Sequence, residues 1–121
     1  MAMTAALPPA ALTDLTADQL SQAIHARQVS CREVMQSYLT RIHQLNPIYN
    51  AIVNLAPDET LLAQADALDA ELAQGQSRGW MHGMPQAIKD TGAAIGFPTS
   101  LGCTLLKNNV AKTDHIMVAR R

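Results

Sequence analysis

Between Thr13 and Gly75 the apolar residues recur at helical spacing in three places. Leu20, Ala23 and Ile24 fall on one face of a helix that Thr16 opens, with Gln19 three residues on, as a capping box requires. That helix should end near Gln28. Ser30 begins the next, with Glu33 at the reciprocal capping position, and Val34, Tyr38, Ile42 and Leu45 step by four, four and three into one stripe. Asn46-Pro47 is expected to end it, because proline lacks the ladder N–H and pushes its predecessor out of helical geometry. Asn50-Ala51-Ile52-Val53-Asn54-Leu55, short and β-branched at its centre, reads as a buried strand. A third helix starts at Ala56-Pro57-Asp58-Glu59, where proline and acidic residues suit the first turn and the dipole. Its stripe is Leu61, Ala65, Leu68 and Leu72, and Gly75 is its expected stop. Three such helices in this order suggest a layer that packs against something larger.

The pattern changes after Gly75. Gly79, Gly83, Gly92, Gly96 and Gly102, with Pro85 and Pro98, break the chain into short apolar runs, Gln86-Ala87-Ile88-Lys89 and Ala93-Ala94-Ile95, that fit loops and short strands better than helices. Lys112-Thr113-Asp114 reads as a further helix start, and His115 to Arg121 continues it for only about two turns. A domain seldom ends inside a fresh helix, so we expect the N-terminal portion of a longer chain. Residues 1–12, rich in Ala and carrying Pro8 and Pro9, read as a flexible tail, which leaves residues 13–121 as the structured segment.

Composition tempers the apolar count. The chain of 121 residues is 48% hydrophobic, but twenty of those residues are Ala, with one Phe, one Trp and two Tyr. Apolar burial contributes about 25 cal/mol per Å², so a core built from alanine is thin. The net charge is −1, the arginines Arg27, Arg32, Arg41 and Arg78 are scattered, and aromatic platforms for bases are absent, which disfavours a nucleic-acid partner. No run approaches the roughly 20 apolar residues of a membrane span, and the N-terminus has no basic, apolar signal pattern, so no membrane role is expected and the cytoplasm is the default. Cys31 and Cys103 could form one bridge, but two cysteines make no disulfide framework, and reduced, structural thiols are the expectation.

Candidate chemistry is sparse. His25, His43, His82 and His115 show no paired spacing for a metal, and the glycines lack the spacings that cradle phosphates, so no metal and no cofactor is expected. Ser100 lacks a Gly-x-Ser-x-Gly setting, so Thr99 and Ser100 read as backbone-bonding loop residues. The informative stretch is Met81-His82-Gly83-Met84-Pro85-Gln86-Ala87-Ile88-Lys89-Asp90, followed by Gly96-Phe97-Pro98-Thr99-Ser100-Leu101-Gly102 and Lys112-Thr113-Asp114. These blocks, in this order, resemble the amidase-signature family, and the segment from Leu15 through Ile52-Val53 resembles the helices that precede the motif there. The likeness covers roughly residues 13–121.

The resemblance implies an α/β fold, helices packed on a mixed central sheet, of which this chain would be the incomplete N-terminal part. It also implies amide hydrolysis by a Ser nucleophile, a bridging Ser held by a cis peptide, and a Lys, with Lys89 in the place of that Lys. The family's serines lie in a Gly/Ser-rich segment, and Ser21, Ser30, Ser37, Ser77 and Ser100 have no such setting, so the chain by itself is expected to be inactive. The chemistry of Lys89 follows from general principles. A solvated Lys, with a pKa of about 10.4, is a poor base at neutral pH. Burial in the apolar strand of Ala87 and Ile88 would favour the neutral amine, which can take a proton from a serine and return it to a leaving amine. Asp90 need not pair with Lys89, because consecutive strand residues point to opposite faces. The plainer alternative is that Lys89-Asp90 marks a solvated strand end, and His82 reads first as a turn histidine. The expected partners are a small-molecule amide for the intact enzyme, and either a second copy or the missing C-terminal part. Two other functions stay open: the amidotransferase subunit that releases ammonia from glutamine for aminoacyl-tRNA, and a non-catalytic helical module that binds a partner through the stripes around Val34 and Leu61.

Overall fold

In a computed structural model, described over residues 9–120, side-chain capping sets where the main helices begin. Helix α1 is the short turn Pro9–Leu12, at the end of the segment expected as a tail; residues 1–8 of that segment lie outside the described residues. Helix α2 spans Ala17–His25, and its capping box is formed, with Gln19 N–H donating to Thr16 Oγ1 at 3.3 Å and Thr16 N–H to Gln19 Oε1 at 3.0 Å. It stops slightly before Gln28 because Arg27 turns left-handed (φ 55°), which lets Gln28 N–H reach Ala23 O and Arg27 N–H reach Ile24 O.

Helix α3, Cys31–Tyr49, starts on the Ser30–Glu33 capping box. Its end corrects the expectation at Asn46-Pro47. Pro47 lies inside the helix, and the left-handed stop is Asn50 (φ 48°), whose N–H bonds Asn46 O at 2.7 Å. Proline so near the C-terminus deletes a single rung of the ladder, too little to stop a helix anchored at its other end. The buried face is also rotated from the expected stripe. Cys31, Val34 and Leu39 are buried, Tyr38 and Ile42 are half-buried, and Leu45 is exposed. Helix α4, Asp58–Ala73, carries Asp58 and Glu59 in its first turn and closes as Gly75 suggests, with Gly75 left-handed (φ 78°) and Gln76 N–H bonding Glu71 O. Ala65 is buried and Leu61, Leu68 and Leu72 are half-buried, so this stripe faces the core as expected.

Helices α3 and α4 run antiparallel, as their pairs show: Arg32 meets Asp66 at 2.5 Å and His43 meets Asp58 at 2.8 Å. Asp69 of α4 accepts from the N–H groups of Cys31 (2.7 Å) and Arg32 (3.1 Å), so a carboxylate sits on the positive end of α3. The core gathers Leu12, Leu20, Ala23, Ile24, Val29, Cys31, Val34 and Ala65.

The described residues divide into two units. One comprises the chain up to Ala51 with Leu55–Pro85, and holds this core; the other comprises Ile52–Asn54 and the chain from Gln86 on. The second contains a 3-10 turn, Thr104–Leu106, and a short helix α5, Ile116–Ala119. Helix α5 begins later than the Lys112-Thr113-Asp114 signal suggests, because Asp114 Oδ1 is taken by Ile95 N–H at 2.6 Å and His115 becomes the cap.

The expected mixed sheet is not formed among the described residues. Residues 50–55, 86–89 and 93–95 take up no strand, and the pairing present is one isolated antiparallel bridge, Pro98 to Val110. A strand forms only against a neighbour that takes its N–H and C=O groups, and β-branching at Ile52 and Val53 cannot supply one.

Candidate functional site

The motif runs from the first unit into the second, and each half is built differently. In the first unit, His82 is 3% exposed and spans two elements. Its Nδ1 accepts from Arg78 N–H at 3.1 Å, so Nε2 carries the proton that goes to Leu68 O, 2.9 Å away on α4. The neutral ring thus fixes the turn to the helix, in agreement with a turn histidine. Gly83 follows with φ 79°, and a Cβ there would run into Cys31 Sγ. The glycine of the motif is where backbone passes directly over the first residue of α3. Ser21 Oγ, donating to Trp80 O at 2.5 Å, ties the same turn to α2.

In the second unit, residues 86–89 form neither helix nor strand, and Lys89 is exposed. Its carbonyl accepts from Gly92 N–H at 2.8 Å in a tight turn. The dry strand environment expected for Lys89 is therefore not supplied by its sequence neighbours: Ala87 is exposed and Ile88 half-buried. Asp90 turns to the other task. Its Oδ1 accepts from Ser100 N–H (3.0 Å), and its Oδ2 from Ser100 Oγ (2.9 Å) and Gly102 N–H (3.3 Å). The hydroxyl of Ser100 foremost, then the N–H groups of Ser100, Gly102 and Leu101, hold the Asp90 carboxyl below the usual carboxylate range. Leu101 (φ 52°) and Gly102 (φ 70°) are both left-handed, which curls successive N–H groups toward one anion. The role of Asp90 as organiser of the 100–102 loop was not read from the sequence; the Ser-Leu-Gly tripeptide was its only signal.

Asp90 is thus engaged away from Lys89, in a turn and not by the alternation of a strand, and the Lys89 side chain has no hydrogen-bond or ion-pair partner among the described residues. The serines are engaged elsewhere: Ser30 caps α3, Ser21 holds Trp80 O, Ser77 lies 2.8 Å from His25 Nε2, and Ser100 donates to Asp90. None of these four is hydrogen-bonded to Lys89. Ser100 belongs to a structural loop, in keeping with its reading as a loop residue.

Cys31 and Cys103 are both free thiols. Burial foremost, then the hydrogen bond and negative charge of Asp69, pushes the Cys31 thiol up to about 12, which leaves it an inert core group. Among the described residues no group of three or more His, Cys, Asp or Glu gathers as a metal site, and no helix is long and apolar enough to cross a membrane.

Comparison with known proteins adds the family. A model of the amidase family matches residues 33–120. A glutamyl-tRNA(Gln) amidotransferase subunit of Chromobacterium violaceum is 44% identical over 100 residues, covering 83% of this chain and 20% of that protein. The subunit of the same name from Bdellovibrio bacteriovorus is 36% identical over 109 residues, 90% of this chain and 22% of its own length. The "Putative amidase AmiD" of Mycobacterium tuberculosis is 34% identical over 119 residues, 95% of this chain and 25% of that protein. The chain therefore spans about a fifth to a quarter of the length of the curated relatives it matches.

Proposed function

This chain belongs to the amidase family, and from that premise we propose that it is the N-terminal portion of an enzyme that hydrolyses carboxylic amides, with Lys89 as its proton carrier. The observation that supports this reading is the separation of the motif's two charges. Asp90 is spent on the 100–102 loop, so the neighbouring amine keeps no carboxylate that would hold it protonated. Covered by protein, such an amine is free to act as a base.

In the proposed reaction, neutral Lys89 accepts a proton from a bridging serine. That serine takes the proton of the nucleophilic serine as its oxygen attacks the amide carbonyl. Collapse of the tetrahedral intermediate breaks the C–N bond, and the proton returns by the same route to the leaving amine. Water, deprotonated along the same relay, then releases the acid. Both serines come from a continuation of the chain, and the same stretch supplies strand partners for residues 50–55 and 86–89, completing the mixed sheet. The 121-residue chain alone is inactive in this reading, and its place is the cytoplasm.

The test joins residues 1–121 to the remainder of the 44% identical relative and measures ammonia release from a panel of carboxamides. Lys89→Ala lowers kcat/KM by about a hundredfold or more, and Lys89→Arg, which cannot surrender its proton, does not restore it. Unchanged turnover in Lys89→Ala refutes the role. So would amide turnover by the 121-residue chain alone that Lys89→Ala abolishes.

A second reading is favoured by the higher identity to the two amidotransferase subunits, 44% and 36% against 34%. Here the amide is glutamine and the ammonia goes to glutamyl-tRNA(Gln). Activity on glutamine that rises when the acceptor tRNA is added selects it over a general amidase.

A further inference from the structure

No ladder of hydrogen bonds holds the main chain at Lys89, because residues 86–89 form neither helix nor strand. The lysine side chain has four methylenes, so its amine sweeps a wide arc, whereas proton transfer requires it within hydrogen-bond reach of one partner. Aiming the amine therefore begins with fixing the backbone at residue 89. Two sets of contacts within this unit do that. Gly92 N–H bonds Lys89 O at 2.8 Å and closes a turn. The turn is tight: a Cβ at Gly92 would come within 3.2 Å of Ile88 Cγ2 and 3.5 Å of Lys89 O. On the far side of the 89–90 peptide, the Asp90 carboxylate accepts from Ser100 Oγ at 2.9 Å, Ser100 N–H at 3.0 Å and Gly102 N–H at 3.3 Å. The loop that Asp90 grips is anchored in turn to Asn109, since Thr99 N–H bonds Asn109 O at 2.7 Å and Asn109 Nδ2 donates to Thr99 O at 3.1 Å. A peptide unit is planar and stiff, so a carboxylate held fast at residue 90 leaves the carbonyl of residue 89 little freedom to turn.

We propose that Asp90 and Ser100 are a positioning pair for Lys89: the clasp between hydroxyl and carboxylate orients the 89–90 peptide and thereby aims the lysine side chain. The inference rests on the role proposed for Lys89 above and deepens it by naming what places the amine. Neither residue of the pair touches the amide; both act through Lys89. Among the three contacts that Asp90 accepts, the Ser100 hydroxyl is the one made by a side chain, so it is the one a substitution can remove while the backbone donors stay. A hydrogen bond to an ionised acceptor is also stronger than one between neutral groups. A misplacement of about 1 Å costs on the order of a hundredfold in rate, so loosening one of several contacts should cost less, about tenfold.

The experiment has two arms. In the 121-residue chain, NMR follows the backbone amides of Lys89 and Gly92. Ser100→Ala should shift both and speed the hydrogen exchange of Gly92 N–H, and Ser100→Thr, which keeps the hydroxyl, should restore them. In the joined enzyme described above, Ser100→Ala should lower kcat about tenfold with KM changed less than about twofold, because the pair sets the amine and not the substrate. Ser100→Thr should recover most of that loss, and Asp90→Asn should lower kcat at least as far as Ser100→Ala. A bond that only stabilises the loop would move the urea midpoint and leave kcat of the folded enzyme alone. Lys89 and Gly92 amides indifferent to Ser100→Ala would overturn the pair. So would an unchanged kcat in Ser100→Ala where Lys89→Ala abolishes turnover, and that result leaves the role of Lys89 standing. Turnover that survives Lys89→Ala sinks the functional reading and the positioning role with it, so the two failures are told apart.

Discussion

Gly83 and Gly75 share almost the same left-handed backbone, φ 79° and 78°, but not the same surroundings. A Cβ at Gly75 meets nothing within 4 Å, whereas at Gly83 it collides with Cys31 Sγ and comes within 3.2 Å of Cys31 Cβ and 3.6 Å of Ile24 Cγ2. Gly75→Ala therefore measures left-handed strain alone, on the order of 1 kcal/mol. Gly83→Ala adds an overlap with the Cys31 side chain, which is 0% exposed, against an equally buried Ile24 that it meets at ordinary contact distance. Forcing extra volume into a packed site costs roughly 1–3 kcal/mol, so the total is about 2–4 kcal/mol. In a chain with a thin core that is a large part of the whole stability, commonly about 5–15 kcal/mol for a domain. Urea unfolding followed by helical circular dichroism reads both variants. The collision also predicts coupling: Cys31→Ala removes the sulfur, so Gly83→Ala in that background should fall back toward the Gly75→Ala value. Equal effects at the two glycines, or strict additivity of Gly83→Ala with Cys31→Ala, would refute the claim that the motif glycine exists for close approach to α3.

Three further outcomes follow from the same geometry. Asp69→Ala removes the carboxylate that accepts from Cys31 and Arg32 N–H, and should lower stability by about 1–2 kcal/mol in the urea assay; no change would mean that the Ser30–Glu33 box suffices by itself. The Asp90 carboxyl is held below its ordinary value by Ser100 foremost. With the folded value the lower one, its contribution to the loop is fully present above about pH 4, the ordinary carboxylate value, and is lost only as pH falls through the depressed value. Proton NMR of the Ser100 and Gly102 amides should stay constant down to that range and then shift; titration at the ordinary value contradicts the assignment. Finally, a thiol reagent should modify the exposed Cys103 at once and the buried Cys31 only with unfolding, so rapid labelling of both in native buffer is the adverse result.

What the sequence made legible was local. Thr16–Gln19, Ser30–Glu33 and Gly75 announced helix ends because capping chemistry acts over three or four residues, all visible in a row. The face of α3 was harder. Val34-Tyr38-Ile42-Leu45 is a regular stripe, yet burial follows Cys31, Val34 and Leu39, because what packs against a helix, here α1 and α4, chooses among its apolar residues. Pro47 misled for a related reason: a rule about isolated helices lost to an anchored one with only two residues still to run. The Lys-Asp dipeptide was found by resemblance, but the destination of Asp90 ten residues downstream depends on left-handed turns at Leu101 and Gly102 that no periodicity reports.

The surroundings of Lys89 lie beyond what its sequence neighbours determine. A lysine is made into a base by removing water from around it, and the sequence offered Ala87 and Ile88 as the agents of that removal. Strand neighbours cannot perform it, since the adjacent residue points to the opposite face and the next one along covers only the flank. Desolvation belongs to whatever lies across the face, and none of residues 86–120 is buried. Lys89 lies in a unit without a buried residue, so in the proposed enzyme its amine is dried only by protein laid over it from outside that unit.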